Sequence, residues 1–229
     1  MSLLASRVHV LDAARNLGVL FDSQLSMSAQ VSAVCRTGYY QLRQLRPLVR
    51  CLSEDAVKTV IQAFINTRLD YCNSLYFGIA DGLMSRLQSV QNAAARLVTG
   101  VRRCEHITPV LRQLHWLPVR RRVEFKISTL VYRSLAGTAP VYLADECTLV
   151  TAAGRRPLRS ADSRTCVVKR SRNQFGDRCF ATAGPTLWNS LPEQFRQPDI
   201  TFRQVKRSLK TFVWLAVWRA LCLNVNGAD

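Results

Sequence analysis

The sequence predicts a mainly α protein: an N-terminal β-hairpin, a helical bundle, a loop-rich basic segment and a C-terminal helix. Three observations carry that expectation. Apolar residues recur at three- and four-residue steps through most of the chain before Gly137, the period of a helix face packed on a core. Gly, Pro and capping residues punctuate those stretches where helices should begin and end. Residues 148–178 hold eight basic and two acidic residues among Gly, Pro and Ser, with no sustained period.

In chain order, "VHVLDAARNLGVLFD" sets apolar segments on either side of Asp12 to Asn16, which predicts a hairpin with its polar turn there. Such a ribbon is marginal alone, and no sheet partners for it follow, so the remainder of its domain is expected upstream. Residues 28–49 predict a helix with Val31, Val34, Tyr39, Leu42, Leu45 and Leu48 inward and Pro47 near its end. Ser53 is an N-cap, with Glu54 and Asp55 in the first turn. It opens a second helix whose stripe is Val57, Val60, Ile61, Phe64 and Ile65, in a segment ended by Gly78. A third starts near Asp81, buries Leu83, Leu87, Val90, Ala94 and Leu97, and stops at Gly100.

Thr108 and Pro109 predict a cap and first helical residue for a short helix through Leu114, and Pro118 opens a longer one closed by Gly137. Within the basic segment, Thr165 to Val168 is a short strand candidate. Asp199 or Thr201 caps a last helix with the stripe Phe202, Val205, Leu209, Phe212, Val213, Ala216 and Val217. No internal repeat is visible.

At 229 residues and 48% hydrophobic, the chain is long and apolar enough to bury a core. Its 32 Lys plus Arg, nearly all Arg, stand against 15 Asp plus Glu, with a pI near 10.4. A polyanion is the natural partner, because each neutralised phosphate releases a condensed counterion. The planar Arg fork favours nucleic acid over an acidic membrane surface. Eight cysteines without a C-x-x-C pair, and no cationic-then-apolar leader, predict reduced thiols in the nucleus or cytoplasm rather than a secreted protein. The apolar run "FVWLAVW" is broken by Arg219 and is too short to span a bilayer, so a buried terminal helix is expected and no membrane.

The chemistry of sites gives little. Asp70 in "RLDYCNSLYFG" has no adjoining carboxylate, whereas two-metal phosphoryl transfer needs at least two converging on ions about 4 Å apart. Cys104, His106 and His115 lack the paired spacing of a zinc site. No Ser, His and carboxylate set and no phosphate loop can be assembled. No cofactor, metal, small-molecule substrate or catalytic residue is therefore expected. The stretch "HITPVLRQLHWLPVRRRVEFK" mixes Arg112, His115, Trp116, Arg120, Arg121, Arg122 and Lys126, a combination that can track phosphates and stack on a base. Core-like neighbours make Trp116 a packing anchor instead, and the arginines read equally as phosphate contacts or a solvated face. Arg155, Arg156, Arg159, Arg164, Lys169, Arg170 and Arg172 form a second basic patch, a phosphate contact, a nuclear-import patch or a plain solvated loop.

Taken in order, "NLGVLFDSQLS", "RLDYCNSLYFG", "LQSVQNAAARLVTG", "HITPVLRQLHWLPVRRRVEFKI", "LRSADS", "GDRCF", "GPTLWNSLP" and "FRQVKRSLKTF" resemble the C-terminal third of a LINE-type, non-LTR retrotransposon reverse transcriptase. The resemblance spans essentially the whole chain. It implies a palm-end hairpin remnant at 1–24, thumb-like helices at 25–147 and a basic C-terminal extension at 148–229. It places "LDYCN" after the polymerase carboxylates; the catalytic Asp of the palm, Tyr-x-Asp-Asp, fingers and endonuclease have no counterpart here. Continuation through "VWLAVWRALCLNVNGAD" departs from the family, which usually stops soon after "LKTF".

What the resemblance implies is a non-enzymatic fragment of an RNA-directed DNA polymerase that at most binds RNA or RNA–DNA hybrid, the thumb's holding role falling on Arg112, His115, Arg120, Arg121 and Arg122. Two alternatives remain: a piece of a longer active enzyme whose palm lies upstream, or a decayed or co-opted fragment that binds proteins.

Overall fold

The computed structural model describes residues 2–3, 6–7, 11–153, 164–197 and 199–225. They are mainly helical, with two antiparallel two-stranded ribbons, β1 (Ser2–Leu3) with β2 (Ser6–Arg7) and β3 (Ala13–Asn16) with β4 (Val19–Asp22). The expected hairpin is present, but its turn is not at residues 12–16. Residues 13–16 are strand, in register from Ala13 opposite Asp22 to Asn16 opposite Val19. The turn is Leu17–Gly18, with φ of 47° and 82°. Two successive positive φ values make the two-residue mirror-image turn whose twist matches the flanking strands, and Gly18 adopts its half at no steric cost.

Two compact units divide the chain, Met1–Cys72 with Ile79–Val119, and Asn73–Gly78 with Arg120–Asp229. In the first, Asp22 Oδ1 accepts from the Ser26 N–H at 2.8 Å and Oδ2 from its hydroxyl at 3.0 Å, shaping the approach to α1 (Ser28–Leu48). Burial alone would raise the Asp22 carboxyl; hydrogen bonds from Ser26, Gln24 and Met27 outweigh it and hold the pKa low. Buried Gln30 accepts from the Leu20 N–H at 2.9 Å and ties β4 to α1.

The α1 face turned inward is Val31, Cys35, Gly38, Leu42 and Leu45. It packs on α4 (Asp81–Thr99), which buries Met84, Leu87, Val90, Gln91, Ala94, Ala95 and Val98. A Cβ at Gly38 would lie 2.7 Å from Val90 Cγ1, so the absence of a side chain is what lets the helices meet there. Tyr39 and Leu48, expected inside, are 43% and 53% exposed. Val31, Leu42 and Leu45 lie inside as expected, and Cys35 and Gly38 complete the stripe.

Ser53 caps α2 (Glu54–Ile61) as expected, its Oγ accepting from the Ala56 N–H at 3.3 Å. The helix then widens into a π-helical turn, Gln62–Asn66, before α3 (Thr67–Asp70). The Thr67 N–H reaches back five residues to the Gln62 carbonyl. One residue too many for the α period rotates Phe64 outward, 45% exposed, while Ile61, Ile65 and Leu69 stay buried; Phe64 thus leaves the stripe expected for it.

Gly100 ends α4. In α5 (Ile107–Gln113) the cap position is His106, so Pro109 is the third helical residue rather than the first. That position tolerates proline because its N–H has no intrahelical acceptor. The following link is pinned to α4: Gln91 donates to the Leu117 carbonyl at 2.9 Å, and the Gln88 side chain accepts from the Val119 N–H at 2.8 Å.

The second unit is built on α6 (Val119–Leu135), with Val123, Ile127 and Val131 buried, followed by α7 (Val141–Ala144). The strand expected at Thr165 to Val168 is reduced to a single bridge, Leu149 opposite Cys166. After α8 (Gln174–Arg178), α9 (Phe180–Ser190) explains the "LWNSLP" stretch. Asn189 accepts from the Cys166 N–H at 2.9 Å and donates to its carbonyl at 2.8 Å, and Trp188 Nε1 donates to the Arg164 carbonyl at 2.9 Å. The side chains stand in for a second strand.

Thr201 and Gln204 form the reciprocal cap of α10 (Phe202–Val225), with Gln204 N–H to Thr201 Oγ1 at 3.4 Å and Thr201 N–H to Gln204 Oε1 at 2.9 Å. Val205 and Leu209 are buried; Phe202 stacks on Tyr132, centroids 5.6 Å apart. The expected stripe residues Val213, Ala216 and Val217 have side chains outside the described residues. No helix among the described residues is long and apolar enough to cross a membrane.

Candidate nucleic-acid interface

The expected site residues fall in both units. Arg112 lies exposed in the last turn of α5. His115 is exposed at φ 54°, where the Trp116 N–H reaches the Leu111 carbonyl at 2.8 Å. That is the left-handed stop of a helix, usually filled by glycine, so His115 holds a backbone role besides any side-chain one. Trp116, at 9% exposure, is a packing anchor between Leu111 and Leu117 in sequence, both buried.

In the second unit Arg120 and Lys126 are exposed and Arg121 and Arg122 half-buried on α6. They do not share one face, since consecutive residues fan out by about 100° each. Arg122 and Lys126 stand one turn apart, and Arg133 continues their row at the heptad interval. Arg121 is paired with Glu124 at 2.6 Å and Lys169 with Glu146, so each must leave a carboxylate to grip a phosphate. Arg170 is exposed. Arg155, Arg156 and Arg159 lie outside the described residues. Asp70 closes α3, and no three His, Cys, Asp or Glu among the described residues group as a metal site.

A second cationic face, on α1 and the 3₁₀ turn that follows it at Val49–Cys51, was not among the sequence candidates. Arg36, Tyr40, Arg43 and Arg50 follow one another at three-, four- and seven-residue steps, with Tyr39 and Arg46 beside them, and all six are exposed. Residues 28–48 contain no Asp or Glu. The signal was in the sequence as arginine interleaved with tyrosine on the polar side of an amphipathic helix.

Beside this row, an open cleft of about 500 Å³ is lined by Ser32, Cys35, Arg36 and Tyr39 of α1 and Arg86 and Ser89 of α4. Arg86 Nη2 donates to Ser32 Oγ at 3.2 Å. Burial raises the Cys35 thiol pKa, opposed by Arg86, and raises that of Tyr39, opposed by Arg103. The lining therefore offers two guanidiniums, three hydroxyls and no carboxylate. It suits an anion.

Comparisons with protein-family models, curated proteins and solved structures return no match for this chain.

Proposed function

We propose that this chain is the post-palm part of a LINE-type non-LTR reverse transcriptase, thumb-like helices and C-terminal extension. Its own task is to hold RNA or an RNA–DNA hybrid without polymerising. The order and spacing of the eight motifs support the family. The observation that carries nucleic-acid binding is the α1 face, where three arginines and two tyrosines stand exposed with no carboxylate on the helix, and exposed Arg50 follows in the 3₁₀ turn after it. A planar guanidinium grips phosphate bidentately and a tyrosine ring stacks on a base, so this mixture suits a strand better than it suits solubility alone. Arg112, Arg120, Arg122 and Lys126 extend the cationic surface available within each unit.

The test is binding of a labelled RNA–DNA hybrid by fluorescence anisotropy. Engagement of about six phosphates predicts an affinity loss on the order of 10³-fold between about 50 and 200 mM salt. Replacing Arg43, Arg46 and Arg50 by Gln reduces both the affinity and the salt slope. A flat salt dependence overturns the reading, and Mg²⁺-dependent nucleotide incorporation by the purified chain overturns its non-catalytic part.

A further inference from the structure

We infer that the cleft between α1 and α4 seats one nucleotide of a single strand, its phosphate between Arg36 and Arg86 and its base against Tyr39. This rests on the nucleic-acid reading above. Arg36 and Arg86 lie 50 positions apart in sequence and reach one cleft from two helices. Like charges converging on one cavity repel unless an anion joins them. The hydroxyls of Ser32, Ser89 and Tyr39 supply further phosphate partners, and the Ser32 contact orients the Arg86 fork.

The cavity volume of about 500 Å³ lies within the range of small-ligand sites and fits a single nucleotide unit. Tyr39, 43% exposed, offers the ring on which an unpaired base stacks, which a duplex cannot present. Its position is well determined: Gly38, the residue beside it, is where α1 meets Val90 of α4. A strand rather than a free nucleotide is indicated because Arg43 continues from Arg36 at a heptad interval, about 10.5 Å farther along α1, and Arg50 follows in the 3₁₀ turn beyond it.

The experiment titrates a labelled oligothymidylate of about eight nucleotides, within the usual single-strand site size, into the full chain. Arg36→Gln with Arg86→Gln weakens binding roughly tenfold and lowers the log–log salt slope by about 1. Tyr39→Leu weakens it about fivefold at an unchanged slope. All three positions are exposed, and thermal melts matching the unmodified protein certify the fold. If both variants bind as the unmodified chain does while Arg43→Gln/Arg46→Gln/Arg50→Gln binds more weakly, the cleft assignment falls and the proposed function stands. If the unmodified chain binds neither hybrid nor single strand, both fall. Adenosine monophosphate binding as tightly as the oligomer overturns the assignment to a strand.

Discussion

The Tyr71 hydroxyl donates a 2.6 Å hydrogen bond to the carbonyl oxygen of Leu17, 54 residues earlier. The same ring flanks Gly18, where a Cβ would sit 3.8 Å from Tyr71 Cε1. The turn of the β3–β4 ribbon is thereby fastened to the residue after α3, while Gln30 fastens its far strand to α1. A ribbon of two short strands is marginal in water, and these two contacts anchor it to helices.

Tyr71→Phe removes the hydroxyl and keeps the ring. The bond is exposed, so the expected loss is about 0.5–1 kcal/mol, the lower part of the range for a neutral hydrogen bond. Hydrogen exchange should quicken at the Val19 amide, which closes the ribbon beside the turn, and stay unchanged in α6. Equal exchange at Val19 in both proteins would show that the contact does not hold the ribbon.

Gly38→Ala places a methyl where 2.7 Å separates it from Val90 Cγ1. Overpacking of this kind costs about 1–3 kcal/mol. Val90→Ala opens a cavity by itself, yet combined with Gly38→Ala it should be less damaging than the two losses added. Urea denaturation of the four proteins measures that coupling; simple additivity would refute the close approach.

Asn189→Ala strips the Cys166 backbone of both partners at once. Leaving a partly buried donor and acceptor unpaired costs about 1–3 kcal/mol. Loss of protection at the Cys166 amide, with α1 amides unaffected, is the expected exchange pattern. Asn189→Asp keeps the acceptor and should recover part of the protection at that amide.

Burial pushes the Cys166 thiol up to about 12, with the neighbouring Cys147 raising it further and Arg164 and Arg196 opposing. A folded-state pKa above the unfolded 9.0 stabilises fully below pH 9, and that contribution falls as pH rises toward 12. Between those limits the slope approaches about 1.4 kcal/mol per pH unit for one proton. Denaturation midpoints of the unmodified protein should drop more steeply above pH 9 than those of Cys166→Ala. At pH 8, alkylation should reach the exposed Cys51, Cys104 and Cys179 well before Cys166.

Helix limits written in local chemistry were legible, as with the Ser53 cap, the Gly100 stop and Thr201, one of the two caps expected for the last helix. Trp116 was legible too, because its apolar neighbours place it in a core. What depended on a second helix was not. Gly38 carries no strong hydropathy, and its close approach to Val90 marks it as interior. Arg36 and Arg86 are distant in sequence, so no spacing rule could join them in one cleft. Nothing local to Asn189 signals its pairing with the Cys166 backbone, 23 residues away.

The widened turn at Gln62–Asn66 bears on how this segment tolerates changes in length. Removing a single amino acid from it should let the coil close into ordinary α geometry instead of breaking. Everything from Thr67 onward would then keep its orientation, Leu69 inside and Tyr71 still within reach of the ribbon, and an outward-looking phenylalanine would be the casualty. A one-residue deletion within α2 itself has no such slack to draw on.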